Sequence, residues 1–481
     1  MLAGLATIQA CGASDAPALY GEPYRPQYHF SAAHGWLGDP DGLVYVDRHF
    51  DLYWWGHAIS RDLVHYEQQS PLAMHGDTGG IGYFSGSVVV DSENTAGFGA
   101  GAHVAIYTLF DKATKNQSQA ISYGSDGESF QFYRDNPVLD IGSTEFRDPT
   151  VFWYAPQQRW IMAVALARDK KIAFYASANL KQWTWLSEFG PVGAHEDAWE
   201  CPDLVELAID GDPTRKKWVL IVSVDWAHEK YFVGDFDGRE FRSTQREPAE
   251  ALYVDRGLDY YASRTIRDYD HTESATLTLG WVNTWKYAQA APSSWGKGFW
   301  SIPRELELRD TPDGPRLVQR PFAGLERLRG DAHAFERRLP RGTHPLSEFA
   351  PRSNAYEIQA NFPTGLRNRF GLNLCVGAGR KLAMTYDTMS RVLSVDRTNT
   401  ADVVIPHFAR TAAARVDPVN GRLDLDIYVD TSSVEIFANG GREVFTLLTY
   451  AGERQTGIET FARRPGTDMA VKAWELHSIW R

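Results

Sequence analysis

Helical periodicity is almost absent from this chain, and that feature constrains its fold more than any other. Short runs rich in Val, Tyr, Phe and Trp alternate instead with Gly, Asp, Asn and Ser turns, the pattern of an all-β protein. Leu43-Val44-Tyr45-Val46, Ser87-Val88-Val89-Val90, Val104-Ala105-Ile106-Tyr107 and Trp218-Val219-Leu220-Ile221-Val222 are examples. A loose repeat lies on top of this pattern: a strand ends in Ser or Gly, an Asp or Asn turn follows, and an aromatic opens the next strand. Its copies begin at Ser60, Ser125, Ser177 and Gly234. Units of roughly 50–65 residues, each with several strands, predict β-propeller blades. With the strands of 259–308 there is room for about five blades. Hairpin turns recurring by chance would produce the same spacing.

Around 309–345 the composition shifts. Asp310-Thr311-Pro312-Asp313-Gly314-Pro315 reads as a turn, and Leu325 to Gly342 is heavy in Arg. Beyond it, Tyr356–Phe362 and Leu423–Asp430 alternate polar and apolar residues, as in a sheet with one wet face, which predicts a β-sandwich. The expected organisation is a signal-like or flexible segment over 1–21, a propeller over 22–330 and a sandwich over 331–481.

The chain has 481 residues, with 49 basic and 61 acidic side chains and a net charge of −12. That balance argues against nucleic-acid or anionic-membrane partners, which select basic patches. The 16 Trp point to a sheet-rich core or to stacking platforms for a sugar. Three cysteines exclude a disulfide scaffold, and no apolar run is long enough to span a bilayer. Leu2 to Cys11 is small and apolar, like the tail of a bacterial lipoprotein signal, without a basic n-region. One reading makes Cys11 a lipid anchor and the protein extracytoplasmic (secreted, periplasmic or anchored). The other makes the segment a plain terminal tail.

Cofactor signatures are missing: there is no Walker A pattern, HExxH or CxxC, and Gly97-Phe98-Gly99-Ala100-Gly101 lacks the strand and helix of a dinucleotide site. No metal or cofactor is expected. Three acids stand out in tight contexts flanked by aromatics or Pro: Asp39 in Trp36-Leu37-Gly38-Asp39-Pro40-Asp41-Gly42, Asp148 in Phe146-Arg147-Asp148-Pro149, and Glu200 in Trp199-Glu200-Cys201-Pro202-Asp203. The first strands of successive blades converge on a propeller axis, so these acids can face one pocket. Paired carboxylates beside aromatic platforms are the equipment of glycoside hydrolysis. The apolar neighbours of Glu200 predict a raised pKa, and the Gly/Pro turn of Asp39 predicts a carboxylate that stays ionised. Each acid taken alone reads more readily as a turn or capping residue than as a catalytic one.

These motifs, in order, resemble glycoside hydrolase family 32, the β-fructosidases (invertases, levanases and exo-inulinases). Trp36 to Gly42 is similar to the family's Trp-Met-Asn-Asp-Pro-Asn-Gly, and the segments around Asp148 and Glu200 match its other two acidic motifs. Trp55-Gly56-His57-Ala58, Phe84-Ser85-Gly86-Ser87, Ser301-Ile302-Pro303-Arg304-Glu305-Leu306 and Tyr428–Phe437 fit as well, and Trp281–Ala288 fits loosely. The resemblance runs from about His29 to the C-terminus. It implies a five-bladed β-propeller followed by a β-sandwich, and a retaining, metal-free release of fructose from β-fructosides such as levan, inulin or sucrose. It also implies Asp39 as nucleophile, Glu200 as acid and then base, and Asp148 with Arg147 as holders of fructose hydroxyls. Trp36, Asp41, Trp54, Trp55, Ser85, Cys201 and Trp285 are the remaining expected substrate contacts.

The chain departs from the family at Gly38 and Asp41, where the family carries Asn; Gly38 removes donors, and an ionised Asp41 supplies acceptors only. The loop at Phe50–His57 is shorter than in relatives, leaving Trp54 as either a platform or a core residue. Altered substrate preference is expected. Two other readings stand beside hydrolysis: fructosyl transfer to a sugar acceptor, and fructan binding without turnover. Linkage preference, exo or endo action and oligomeric state are left open by the sequence.

Overall fold

The computed structural model describes residues 19–69, 79–193, 198–244, 252–267 and 276–480. Cys11 lies outside them. Among the described residues the only helical turns are three 3-10 segments, Ala155–Gln157, Ala288–Ala290 and Ala323–Leu328; everything else regular is strand. No helix there is long and apolar enough to cross a membrane.

Five strands form a ring: β1 (Gly42–Val46), β2 (Ile81–Asp91), β3 (Phe146–Tyr154), β4 (Trp199–Ile209) and β5 (Tyr261–Thr265). Each packs on the next, and β5 packs on β1. Antiparallel hairpins run outward from each. Those from β1, β2 and β3 are separate sheets, whereas those from β4 and β5 join in a nine-stranded sheet through one parallel pairing, Ile209 with Leu308. This is a β-propeller. The ring is closed by pairing of early chain with late: Gly35–Trp36 lies parallel to Gly296–Lys297, and Val44 bridges Arg267. Apolar side chains of adjacent sheets meet between blades, as where Phe152, Ile161 and Phe174 pack with Trp199, Leu220 and Phe232.

The chain then builds a β-sandwich of two six-stranded sheets, one containing Tyr356–Pro363, Arg422–Asp430 and Asp468–Glu475, the other Arg369–Gly377, Arg380–Asp387 and Gly457–Ala462. Alternation decides which face is buried: in Arg422–Asp430, Leu423, Leu425 and Ile427 point into the core while Arg422 and Asp424 are exposed. A buried ionic cluster joins the sandwich to the propeller. Arg304 Nη1 donates to Asp255 at 3.0 Å, and Arg304 Nε donates to Glu435 at 3.2 Å. His29 Nδ1 sits 2.7 Å from Asp430 and its Nε2 2.9 Å from Glu435. Both ring nitrogens face carboxylates, so the imidazole carries both protons.

Candidate active site

Four of the five ring strands carry a β-bulge, and each bulge falls on residues that face the centre. The register slips between Tyr83 and Gly86, Arg147 and Thr150, Glu200 and Asp203, and Tyr261 and Arg264. A bulge adds an unpaired residue and re-aims its side chain. Asp148, Cys201 and Ala262 reach φ of 62°, 47° and 52° there, left-handed values that cost non-glycine residues on the order of 1–3 kcal/mol each. At Gly86 only glycine fits, because a Cβ would lie 2.0 Å from the Ile106 carbonyl oxygen. Pro149 and Pro202 follow two of the left-handed residues, where the missing ladder donor costs little.

Each bulge frees a backbone N–H, and the neighbouring blade accepts it. Gly86 N–H donates to Asp41 Oδ1 (3.2 Å), Asp148 N–H to Thr108 Oγ1 (3.0 Å), Cys201 N–H to Asp148 Oδ2 (3.2 Å) and Ala262 N–H to Ser223 Oγ (3.0 Å). Asp41 and Asp148 thus hold the next blade's backbone as well as facing the centre. The turn bearing Asp39 is pinned from below by two fully buried indoles: Trp281 Nε1 donates to Leu37 O and Trp300 Nε1 to Gly38 O.

These features surround a cavity of about 720 Å³. Trp36, Asp39, Asp41, Trp54, Trp55, Ser85, Arg147, Asp148, Glu200, Cys201 and Trp285, every side chain expected from the sequence, line it. Asp39 accepts from Ser85 Oγ at 2.7 Å, and its Oδ1 is covered without a partner. Cys201 Sγ lies 3.7 Å from Asp39 Oδ2 and 3.6 Å from Asp148 Oδ2, bridging the two acids. Glu200 accepts from Arg147 Nε (2.9 Å) and from the Tyr261 hydroxyl (2.5 Å). Arg147 also reaches Gln117 and Glu145.

Four acids here share two buried cations, Arg147 and Arg264, and their ionisation reflects the deficit. Burial raises Asp39 to about 6, with the Glu200 charge adding to it and the Ser85 hydroxyl and Arg264 opposing. Burial and then the Asp148 charge raise Glu200, against Arg147 and Tyr261. Asp148 is raised by burial, with Arg147 pulling it down. Burial and the Asp39 charge push Asp41 well above the carboxylate range. Two expectations change. Asp39, expected to stay ionised in its Gly/Pro turn, is pushed up to about 6 by burial, so it remains largely ionised at neutral pH but loses its charge a little below it. Burial and the neighbouring Asp39 charge favour the protonated form of Asp41, in which its carboxyl has a donor as well as acceptors.

At the rim, Trp36 stacks on Trp285 (centroids 5.5 Å apart, planes 16° apart), and Trp285 is 44% exposed. A side chain at Gly38 would begin 3.0 Å from Trp36 Nε1, so the glycine leaves room for that indole. Trp54 both lines the cavity and packs into the core, meeting Phe30 and Trp300 edge-on. Sequence reasoning missed Tyr261, Arg264, Arg168, Trp226 and the Phe84–Phe110 stack. None of the first four belongs to one of the short acidic motifs. Among the described residues no group of His, Cys, Asp and Glu is arranged to hold a metal ion.

A family model described as "Glycosyl hydrolases family 32 N-terminal domain" matches residues 29–321, and one described as "Glycosyl hydrolases family 32 C terminal" matches 324–478. The chain is 39% identical over 490 residues to a levanase of Bacillus subtilis (strain 168), covering 96% of this chain and 71% of that protein. It is 31% identical over 524 residues to an extracellular exo-inulinase of Aspergillus niger, covering 96% of each. The crystal structure of an exo-inulinase from Aspergillus awamori superposes with a TM-score of 0.88 at 28% identity, covering 96% of this chain and 100% of that one. A fructofuranosidase from Schwanniomyces occidentalis, solved with fructose, does so at 0.84 and 27%, covering 96% and 100%.

Proposed function

The chain belongs to glycosyl hydrolase family 32, and from that premise we propose that it is a retaining β-fructosidase that releases fructose from levan, inulin or sucrose. The convergence of Asp39, Asp148 and Glu200 on one cavity, with Cys201 touching two of them, is the observation that carries the reading. Ionised Asp39 attacks the anomeric carbon of a terminal fructosyl unit. Glu200, protonated, gives its proton to the leaving oxygen, and a fructosyl ester forms on Asp39. Glu200, now a carboxylate, takes a proton from water as that water attacks the same carbon, which frees fructose and restores both groups. Asp148 and Arg147 hold sugar hydroxyls and the positive charge that develops on the ring. The retaining reading requires the Asp39 and Glu200 carboxyls to act about 5–5.5 Å apart. Trp36 and Trp285 offer a stacking face at the entrance.

The ring of five strands supports five blades, with the nine-stranded sheet counted as two, and domain limits of 22–330 and 331–481 follow the change of sheets. The extracellular relative and the sequence before Cys11 support an extracytoplasmic location, with Cys11 as an anchor. Chromatography of products from sucrose, inulin and levan over time tests the activity. From levan and inulin, fructose as the only small product from the first time point is expected, and from sucrose, fructose with an equal amount of glucose; longer products from the start would instead indicate endo-cleavage or transfer, and binding without products would remove the enzyme reading.

A further inference from the structure

We propose that Arg397, a residue of the sandwich, is a positioning residue for the cavity in the propeller, acting through Asp259 and Tyr287 on Tyr261 and Trp285. The proposal rests on the reading of Glu200 as the proton donor and of Trp36 and Trp285 as the entrance platform.

Arg397 follows the strand Val392–Asp396 and is fully buried. Its guanidinium makes four hydrogen bonds. Nε donates to Phe408 O at 2.8 Å, Nη1 to Leu448 O at 3.2 Å and to Asp259, and Nη2 to the Tyr287 hydroxyl at 2.6 Å. The Tyr287 hydroxyl in turn donates to Asp259, whose other oxygen accepts Leu448 N–H at 2.8 Å. Asp259 and Tyr287 are propeller residues, so the three side chains form a closed triangle across the boundary between the two parts.

Each propeller corner of that triangle lies two residues from a cavity residue. Asp259 precedes Tyr261, the donor to Glu200 Oε2. Tyr287 follows Trp285, the stacking partner of Trp36. The link to Trp285 is short and stiff, because Tyr287 and Ala288 N–H both return to Thr284 O, and Thr284 Oγ1 and Trp285 N–H are both anchored on Trp226 O. Between Asp259 and Tyr261, the Tyr260 ring is clamped under the Arg304 guanidinium at 4.0 Å. Displacement of the triangle therefore reaches Glu200 by one route and the platform by the other.

Stability alone does not call for an arginine here. Desolvating a buried ion pair costs about as much as the pairing returns, and apolar residues of similar volume fill such sites equally well. What the planar fork adds is direction: it fixes Asp259, Tyr287, Phe408 and Leu448 relative to one another.

Kinetics of the full chain with a fructan trisaccharide test this. Tyr287→Phe keeps the ring and removes the shared hydroxyl. It should raise KM about 5-fold or more with kcat within about 3-fold, as expected when a platform that binds ground and transition states alike is loosened. Arg397→Met should do the same and also move the alkaline limb of kcat to higher pH, because a misplaced Tyr261 no longer favours ionised Glu200. Arg397→Lys should restore part of both. If folded Tyr287→Phe and Arg397→Lys variants keep wild-type KM and pH profile, the triangle is only a joint and the proposal fails; these two decide the matter even where Arg397→Met does not fold. Glu200→Gln in parallel separates the two levels: retained turnover there would overturn the site reading itself, whatever Tyr287→Phe does.

Discussion

Two buried clusters of carboxylates among the described residues contrast with one another. At the joint between propeller and sandwich, Asp255, Asp430 and Glu435 face Arg304 and the doubly protonated His29, with backbone N–H groups of residues 27–29 filling the remaining acceptor sites of Asp430. Burial alone would raise Glu435, but Arg304 and His29 overcome it and hold the carboxyl below its usual value. In the cavity, Asp39, Asp41, Asp148 and Glu200 have two cations among them, and all four are raised. The same residue types thus make a joint, where three acids face two cations and backbone N–H groups fill the remaining acceptor sites, and a cavity, where four acids to two cations leave a larger imbalance. The imbalance stores free energy in the folded state and keeps protons within reach of a substrate.

Substitutions on the two sides should separate cleanly. Asp39→Asn should lower turnover on sucrose about 10⁴-fold, or ~5 kcal/mol of barrier, in an initial-rate assay. Glu435→Gln should leave kcat near wild type and cost about 3–5 kcal/mol of stability in chemical denaturation, since Arg304 and His29 lose a buried partner. The joint also has a pH signature. Burial pulls His29 down, but the Asp430 and Glu435 hydrogen bonds win and raise it to about 9. A folded value above the unfolded one, about 6.5, means that His29 stabilises fully below about pH 6.5 and loses that contribution as pH rises through 9. Tm should therefore fall over that window by the equivalent of ~3 kcal/mol, and in a His29→Gln variant this component should vanish. The smallest effect has the opposite sign. Asp39 is raised to about 6, so its ionisation disfavours the folded state at neutral pH, and Asp39→Asn should gain about 1–3 kcal/mol of stability while losing activity.

The two clusters were not equally legible in the sequence. The three acidic motifs are contiguous, and Pro149 and Pro202 mark the bulges that turn Asp148 and Cys201 inward, so the cavity acids could be named from local signals. The ionisation of Asp39 could not, because the strands that bury it come from elsewhere in the chain. Tyr261 and Arg264 were missed for the same reason: their roles exist only once β5 lies beside β4. At the joint, Ser301–Leu306 and Tyr428–Phe437 were recognisable as family-like segments with no stated purpose; folded, they meet as Arg304 on Glu435. The all-β class followed from alternation and turn residues, whereas the fusion of two propeller sheets through Ile209 and Leu308 depends on a single long-range pairing that no local pattern encodes.

In the proposed mechanism Asp39 forms a covalent bond to fructose while Glu200 moves the proton. In a Glu200→Ala variant given a fructoside whose leaving group needs no protonation, the first step proceeds and the second stalls. Acid quenching followed by mass-spectrometric peptide mapping should then find one hexosyl increment on the peptide that carries Asp39. An increment on Asp148 or another residue, or steady turnover with no adduct at all, would contradict the account.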